Sequence, residues 1–298
     1  MNDNNFSVPV IFGEVLFDCF PDGNLVLGGA PFNVAWHLQA FALSPLMISA
    51  VGDDALGKKV KSAMLDWNMS IMGLQLDTQH PTGSVDIKFD EDGEPQYSIV
   101  EHRAYDYISD ALLPLLPESS LLYHGSLALR NQTSRQALSK LKAEHTGSVF
   151  MDVNLRDPWW QKEFVLNLVD DADWVKLNED ELNQLARGAG DIESQSREFI
   201  DRHKLEGLII TLGAKGAIAF TDNAGSAQVE PSQTLEVVDT VGAGDAFTSV
   251  LILGLTHQWP LDQTMQRAQE FASLMVGQQG ATVHEQNLYQ EKIVDWDL

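Results

Sequence analysis

Val237-Val238-Asp239-Thr240-Val241-Gly242-Ala243-Gly244-Asp245-Ala246-Phe247 passes from an apolar, strand-like start through a Gly-Ala-Gly turn into a helix. Phe247, Val250, Leu251 and Gly254 carry the helix pattern, recurring at helical spacing. Gly242 and Gly244 free the main chain to take unusual angles and to approach a ligand closely. Amides at a helix start are unpaired donors, and the helix dipole adds to their pull on an anion. Asp245 is out of character in such an anion site. A carboxylate there can act as the helix cap. Beside a bound phosphate it can instead take the proton from an attacking hydroxyl. The local pattern alone leaves both roles open.

Working outward, short β-branched runs alternate with helix-like segments. Val8–Phe12 reads as a buried strand and Pro31–Phe41 as a helix; Leu46–Val51 is the next strand and Gly57–Trp67 the next helix. Ser148–Val153, Trp174–Leu177 and Leu208–Thr211 continue the series. This alternation predicts βαβ units on a mostly parallel sheet. One region departs from it. Val85, Ile87 and Phe89 alternate with Ser84, Asp86 and Lys88, the mark of a strand with one wet face. Asp90-Glu91-Asp92-Gly93 supplies turn chemistry, and Tyr97–Val100 resumes as a strand. A small flap over the main sheet follows, with partner strands expected from Glu14–Leu27. One α/β domain over 1–298 is expected, its flap built from about 14–30 and 82–107.

The 298 residues suffice to bury a large core without staples. With 43 Asp plus Glu against 19 Lys plus Arg, the net charge is −24, which repels nucleic acid and anionic membrane surfaces. An anionic substrate would need a locally positive site. Cys19 is the sole cysteine, so no intramolecular disulfide can form, which fits a reducing cytoplasm. Met1–Asn5 lacks the basic start and apolar run of a signal peptide, and Val34–Val51 is too polar and too broken to span a bilayer.

Two phosphate motifs fail on inspection. Gly52-Asp53-Asp54-Ala55-Leu56-Gly57-Lys58-Lys59 has P-loop spacing, but Lys59 stands where Ser or Thr would hold Mg²⁺, and two aspartates would face the phosphate. A strand-to-helix turn is the better reading. Gly13-Glu14-Val15-Leu16-Phe17-Asp18 is not the dinucleotide fingerprint.

The stretch Asp239–Phe247 resembles the C-terminal signature of the ribokinase-like (PfkB) carbohydrate kinases. Gly28-Gly29-Ala30-Pro31-Phe32-Asn33-Val34-Ala35 resembles their N-terminal signature. Similar segments lie between them in the family's order: Val51–Gly57, Asp152-Val153-Asn154-Leu155-Arg156, Leu177–Glu181 and Thr211-Leu212-Gly213-Ala214-Lys215-Gly216. The ordered set spans nearly the whole chain. It implies a three-layer αβα sandwich with a mostly parallel sheet and a small β lid. It also implies ATP and Mg²⁺ as cofactors, with K⁺ as a candidate.

By this resemblance Asp245 is the base that deprotonates a sugar hydroxyl, and the amides of Gly242, Ala243 and Gly244 form the anion hole. Asn178 and Glu179 match a pair that orders Mg²⁺ through water, Asn178 also touching phosphate; without the resemblance they read as a helix cap. Thr211, Gly213 and Gly216 match the strand end lining the nucleotide. Gly28 and Gly29 bring backbone close to the sugar, and Asn33 and Asp18 are candidates for its hydroxyls. Arg156 is a candidate to steer phosphate, with a surface ion pair as the alternative. The flap corresponds to the family's lid, whose closure excludes water. Tyr97, Arg103 and Tyr105 are its candidate sugar contacts, and relatives dimerise through it. A monovalent cation is implied near Asp239 and Val241, and Gln278–Thr282 is placed near the adenine or that cation.

Gly28–Asn33 and Asp152–Arg156, followed by Pro158-Trp159-Trp160, look most like the fructokinase branch, although Val153 stands where that branch has proline. The expectation is ATP-dependent phosphorylation of free D-fructose at its 6-hydroxyl. The alternatives are kinases for 2-keto-3-deoxygluconate, ribose or a nucleoside, or a non-catalytic sugar or nucleotide sensor.

Overall fold

In the computed structural model, which describes residues 8–90, 95–117, 120–187, 190–231 and 239–298, strand β1 (Val10–Phe12) shows how the main sheet is built. Ile11 faces one apolar layer, Val10 and Phe12 face the other, and all three are fully buried. Successive side chains on a strand point to opposite faces, so a strand covered on both sides reads as an unbroken apolar run.

The chain continues through β2 (Leu16–Cys19), β3 (Leu25–Gly28), α1 (Ala30–Ala40), β4 (Leu46–Gly52), α2 (Ala55–Asp66) and β5 (Leu74–Asp77). Next come β6 (Gly83–Phe89), β7 (Pro95–Ile99), β8 (Leu122–His124), α3 (Gln132–Glu144), β9 (Val149–Asp152), α4 (Lys162–Asp170) and β10 (Trp174–Asn178). The remainder is α5 (Glu179–Leu185), α6 (Ile192–His203), β11 (Gly207–Thr211), β12 (Ala217–Thr221), β13 (Ser226–Val229), α7 (Ala243–Thr256), α8 (Leu261–Val276) and α9 (Gln286–Trp296).

Among the described residues the main sheet has the order β13-β12-β11-β10-β9-β8-β1-β4-β5. Every pair from β11 to β5 is parallel; β12 and β13 add an antiparallel edge. One layer packs Trp36, Met64, Phe247, Phe271 and Tyr289, from α1, α2, α7, α8 and α9, onto the sheet. The opposite layer packs Leu141, Val165, Leu185 and Phe199 from α3 to α6. The result is the expected αβα sandwich.

A second sheet of order β3-β2-β6-β7 stands over the C-terminal strand ends. Its central pair, β2 with β6, is parallel, with Leu16 opposite Gly83. Leu16, Val85, Tyr105, Leu127 and Ala128 form a small separate core at its root. Within β6, Val85 and Ile87 are buried while Asp86 and Lys88 are exposed, as the alternation predicts. Ser84 and Phe89 depart from it. Ser84 lies at the root, where its carbonyl accepts from Val100 N at 3.2 Å, and it is buried. Phe89 lies at the far end of the strand and is 54% exposed. The Glu91–Gly93 part of the expected turn, the Val237-Val238 strand and Met1–Asn5 lie outside the described residues.

The rejected P-loop is a strand-to-helix turn. Asp54 caps α2 by accepting from Gly57 N at 2.8 Å, and also accepts from Thr82 N at 2.8 Å. A side chain at Gly57 would meet the Gly52 carbonyl at 2.1 Å, so the turn is closed on itself. Among the described residues no helix is long and apolar enough to cross a membrane.

Candidate active site

The signature glycines act through α7. Gly242 is its N-cap at φ +81°, in the left-handed region that glycine tolerates, and an added Cβ would lie 2.3 Å from Ala281 Cβ. The first helical bond runs from Ala246 N to Gly242 O at 2.8 Å. The amides of Gly244 and Asp245 therefore precede the helix ladder and have no partner within it. Ala243 N is less free than the sequence implied, since it closes a turn onto Thr240 O at 3.3 Å. At Gly244 the nearest atom to an added Cβ is Lys176 Nζ, 3.9 Å away, so the helix start is open on that side.

Asp245 is not the cap. It sits three residues inside the helix, and its Oδ2 accepts from Asn33 Nδ2 of α1 at 2.7 Å. Its side chain is half-buried, on the wall of a cavity. Burial, countered by the Asn33 bond and reinforced by nearby Asp152, pushes its pKa up to about 6. Beneath it, Lys176 Nζ of β10 lies 2.7 Å from Asp152 Oδ2 of β9. Thr248 Oγ1 is 3.0 Å from the same oxygen. Burial pulls the Lys176 pKa down, but Asp152, Asp245 and Glu181 outweigh it and the net shift is upward, so the ammonium is retained.

Two adjoining cavities flank this helix start. The first, about 670 Å³, is lined by Glu14, Asp18, Gly28, Gly29, Asn33, Tyr97, Asp152, Arg156, Lys176, Asn178, Glu181 and Asp245, among others. The second, about 510 Å³, is more apolar and is lined by Gly213, Gly216, Ala243, Phe247, Ala272 and Val276, among others. Thr211, Thr240 and Gly244 line both. Both volumes lie in the range of small-molecule sites.

The structure thus brings together Asp18, Gly28, Gly29, Asn33, Tyr97, Arg156, Asn178, Thr211, Val241, Gly242, Gly244 and Asp245 around the first cavity, and Gly213, Gly216 and Ala243 around the second. Arg156 is exposed on the wall, and its charge opposes the upward effect of burial on the pKa of Asp18, Glu14 and Asp245. At Asp18 burial outweighs that pull, and the pKa rises to about 6.

Four expected residues fall elsewhere. Tyr105 is fully buried in the core beneath the lid, its hydroxyl accepting from Arg130 Nη2 at 3.0 Å. Arg103 caps the short turn at Ala104–Tyr107, where its amide donates to Asp106 Oδ2 at 3.0 Å. Glu179 is exposed at the start of α5 and does not line the first cavity. Asp239 ties two loops together, accepting from Val241 N at 2.9 Å and Gly280 N at 3.1 Å. The predicted Gln278–Thr282 segment packs there, with Ala281 on the cavity wall and Thr282 Oγ1 3.3 Å from Leu27 O.

Glu181 takes the place expected of Glu179. It is 6% exposed; its Oε2 accepts from Asn178 N at 2.8 Å and its Oε1 from Leu155 N at 2.7 Å, while Asn178 Oδ1 accepts from Glu181 N. This is a capping box, and Asn-x-x-Glu before an apolar run is its sequence signal. Lys176 and Glu14 are further wall residues without a motif of their own.

Among the described residues no group of three or more His, Cys, Asp or Glu is arranged to hold a metal. Mg²⁺ is commonly held by one or two carboxylates with water and nucleotide oxygens. Glu181 and Asn178 fit that mode, because both line the first cavity and each of their side-chain oxygens accepts a single backbone amide, which leaves lone pairs for a metal or its water. For K⁺, both Asp239 oxygens already accept one amide each, which leaves lone pairs for an ion.

The family model described as pfkB family carbohydrate kinase matches residues 20–287. Fructokinase-2 of Zea mays is 30% identical over 270 residues, which is 83% of this chain and 79% of that protein. A crystal structure of fructokinase from Vibrio cholerae with fructose, ADP and calcium ion bound is 28% identical, with a TM-score of 0.81 over 97% of this chain and 99% of its own. Aminoimidazole riboside kinase from Salmonella enterica, complexed with aminoimidazole riboside and an ATP analogue, is 25% identical. Its TM-score is 0.80 over 94% of this chain and 98% of its own.

Proposed function

Because the chain belongs to the pfkB family of carbohydrate kinases, phosphotransferases acting on a sugar hydroxyl, we propose that it transfers the γ-phosphoryl group of ATP to D-fructose, giving fructose 6-phosphate. The observation that carries this reading is the meeting of the two cavities at Gly244, with Asp245 on the polar side. A nucleotide lying in the apolar cavity along Gly213, Gly216 and Phe247 would end its phosphate tail at the open amides of α7. A polyol in the first cavity would then present a hydroxyl to Asp245.

The chain's own residues supply the chemistry. Asp245 accepts the hydroxyl proton as the O–H bond breaks and the new O–P bond forms, and ADP leaves with the electrons of the old bond. Asn33 fixes the carboxylate through its 2.7 Å hydrogen bond. The Gly244 and Asp245 amides and the Lys176 ammonium face the charge that develops on the transferred group. Mg²⁺ bound with ATP near Asn178 and Glu181 would neutralise phosphate charge. The lid, with Tyr97 on its inner wall, would shut water out.

Wall charge supports a neutral acceptor. Glu14, Asp18, Asp152, Glu181 and Asp245 line the first cavity against only Arg156 and Lys176. A sugar phosphate would meet net repulsion there. Similarity to the riboside kinase supports a second reading, a nucleoside-like acceptor. ADP release measured with fructose, 2-keto-3-deoxygluconate, ribose and ribosides separates them. Fructose should give the highest kcat/KM, and a riboside that exceeds it would replace this assignment. Fructose binding without turnover would identify a sensor.

A further inference from the structure

We propose that Glu14 is a further sugar-binding, specificity-determining residue, whose carboxyl takes one hydroxyl of the acceptor as its missing hydrogen-bond partner. This deepens, and rests on, the reading of the first cavity as the site of a free sugar. Glu14 stands two residues past the end of β1, lines that cavity and is 3% exposed, yet its Oε2 is buried with no hydrogen-bond partner among the described residues. On the same cavity wall, Asn33 is 4% exposed. Its Nδ2 is spent on Asp245, and its Oδ1 is likewise unpartnered.

Buried polar groups are nearly always paired, and orphans occur in the closed core as well, at His37 and Ser49 among others; what sets Glu14 and Asn33 apart is that both line one cavity, where a polar ligand can supply the partner. Arg156 and Arg130 both act on Glu14 electrostatically, and neither closes a hydrogen bond to it. Arg130 gives its Nε and Nη2 to Asp106 at 2.7 and 2.8 Å and Nη2 also to Tyr105, while its Nη1 is buried without a partner among the described residues. Its backbone is fixed by close packing, since a Cβ at Gly29 would meet Glu14 O at 2.7 Å. Burial is the main cause that raises the carboxyl pKa to about 7, so it can donate as well as accept. That versatility suits a hydroxyl. A phosphate or carboxylate ligand would be repelled by the ionised form.

An unpaired buried carboxyl costs folding stability, so a residue kept for ligand binding should be destabilising in the free protein. The test compares Glu14→Met and Glu14→Gln with the wild-type chain by steady-state kinetics and thermal unfolding. Glu14→Met should raise Tm, raise KM for fructose 10- to 100-fold, the span of a hydrogen bond to an ionisable group, and leave KM for ATP within twofold. Glu14→Gln, which still donates and accepts, should keep fructose KM within about threefold of wild type. A series of monodeoxy fructose analogues identifies the hydroxyl. One analogue should bind the wild type poorly yet bind Glu14→Met no worse than fructose does. Unchanged fructose KM in a folded Glu14→Met variant, or a lowered Tm with both KM values rising together, overturns the proposal. Failure of the wild-type chain to turn over any free sugar overturns the kinase reading itself.

Discussion

Replacing Asp245 by Asn separates its chemistry from its place in the fold. The amide is isosteric, and its oxygen can still accept from Asn33, so the 2.7 Å bond and the start of α7 should survive. What disappears is proton-accepting capacity, and turnover should fall by about 10²–10⁴-fold, the usual contribution of a general base. The same change should stabilise the protein. In the wild type, enclosure raises the Asp245 pKa from 3.8 to about 6. Above the folded value the native state holds an unfavourable charge that the unfolded chain carries freely. A shift of this size corresponds to about 3 kcal/mol in full, and because the side chain opens onto cavity water roughly 1–2 kcal/mol is the realistic share. The sign follows from proton binding. Between about pH 4 and 6 the native state binds more protons, so wild-type stability declines as pH rises through that window. The variant should therefore match wild type near pH 4 and melt a few degrees higher at pH 7–8. Calorimetric unfolding at both pH values, with ADP release at pH 7.5, measures both effects. Turnover within tenfold of wild type, or a Tm difference that persists at pH 4, would refute the reasoning.

Three further outcomes follow from the same geometry. Lys176→Met leaves Asp152 buried without its 2.7 Å partner and should cost about 3–5 kcal/mol in urea unfolding, much of it recovered in the Lys176→Met/Asp152→Leu pair. Gly244→Leu should fold, since its Cβ meets nothing closer than 3.9 Å, but should lose ATP affinity at least tenfold by calorimetry as the longer chain fills the shared cleft; unchanged affinity would remove Gly244 from the phosphate site. The pH profile of kcat/KM should fall on the acid side with an apparent pKa near 6, and that limb should be absent from the residual activity of Asp245→Asn.

The alternating strands were legible because parallel strands covered on both faces must be apolar throughout, as Val10, Ile11 and Phe12 are. The lid was legible because its strands change period. The glycine-led start of α7 was legible for a backbone reason: only glycine satisfies Gly242 at φ +81° against Ala281, and that requirement leaves its mark on the sequence. Side chains whose direction depends on tertiary packing were harder. Glu179 and Glu181 are both acidic and two residues apart, and only the capping box turns the second one inward. Lys176 looks like any lysine in a strand until the Asp152 partner on the neighbouring strand is known. Tyr105 reads as a lid aromatic, but the chain has already returned to the body there, and the ring is fully buried.

The parallel pairing of β2 with β6 has a consequence for synthesis. Leu16–Cys19 leaves the ribosome well before Gly83–Phe89, so the first half of the lid must wait for its neighbour while α1, β4 and α2 emerge. Until then the β2–β3 hairpin, with Leu16, Leu25 and Leu27, holds an unpaired edge, and isolated two-stranded hairpins are marginal in water. The nascent chain is thus most exposed to misassociation while the lid is half made, and the body of the sheet must form around a cover still awaiting its other half.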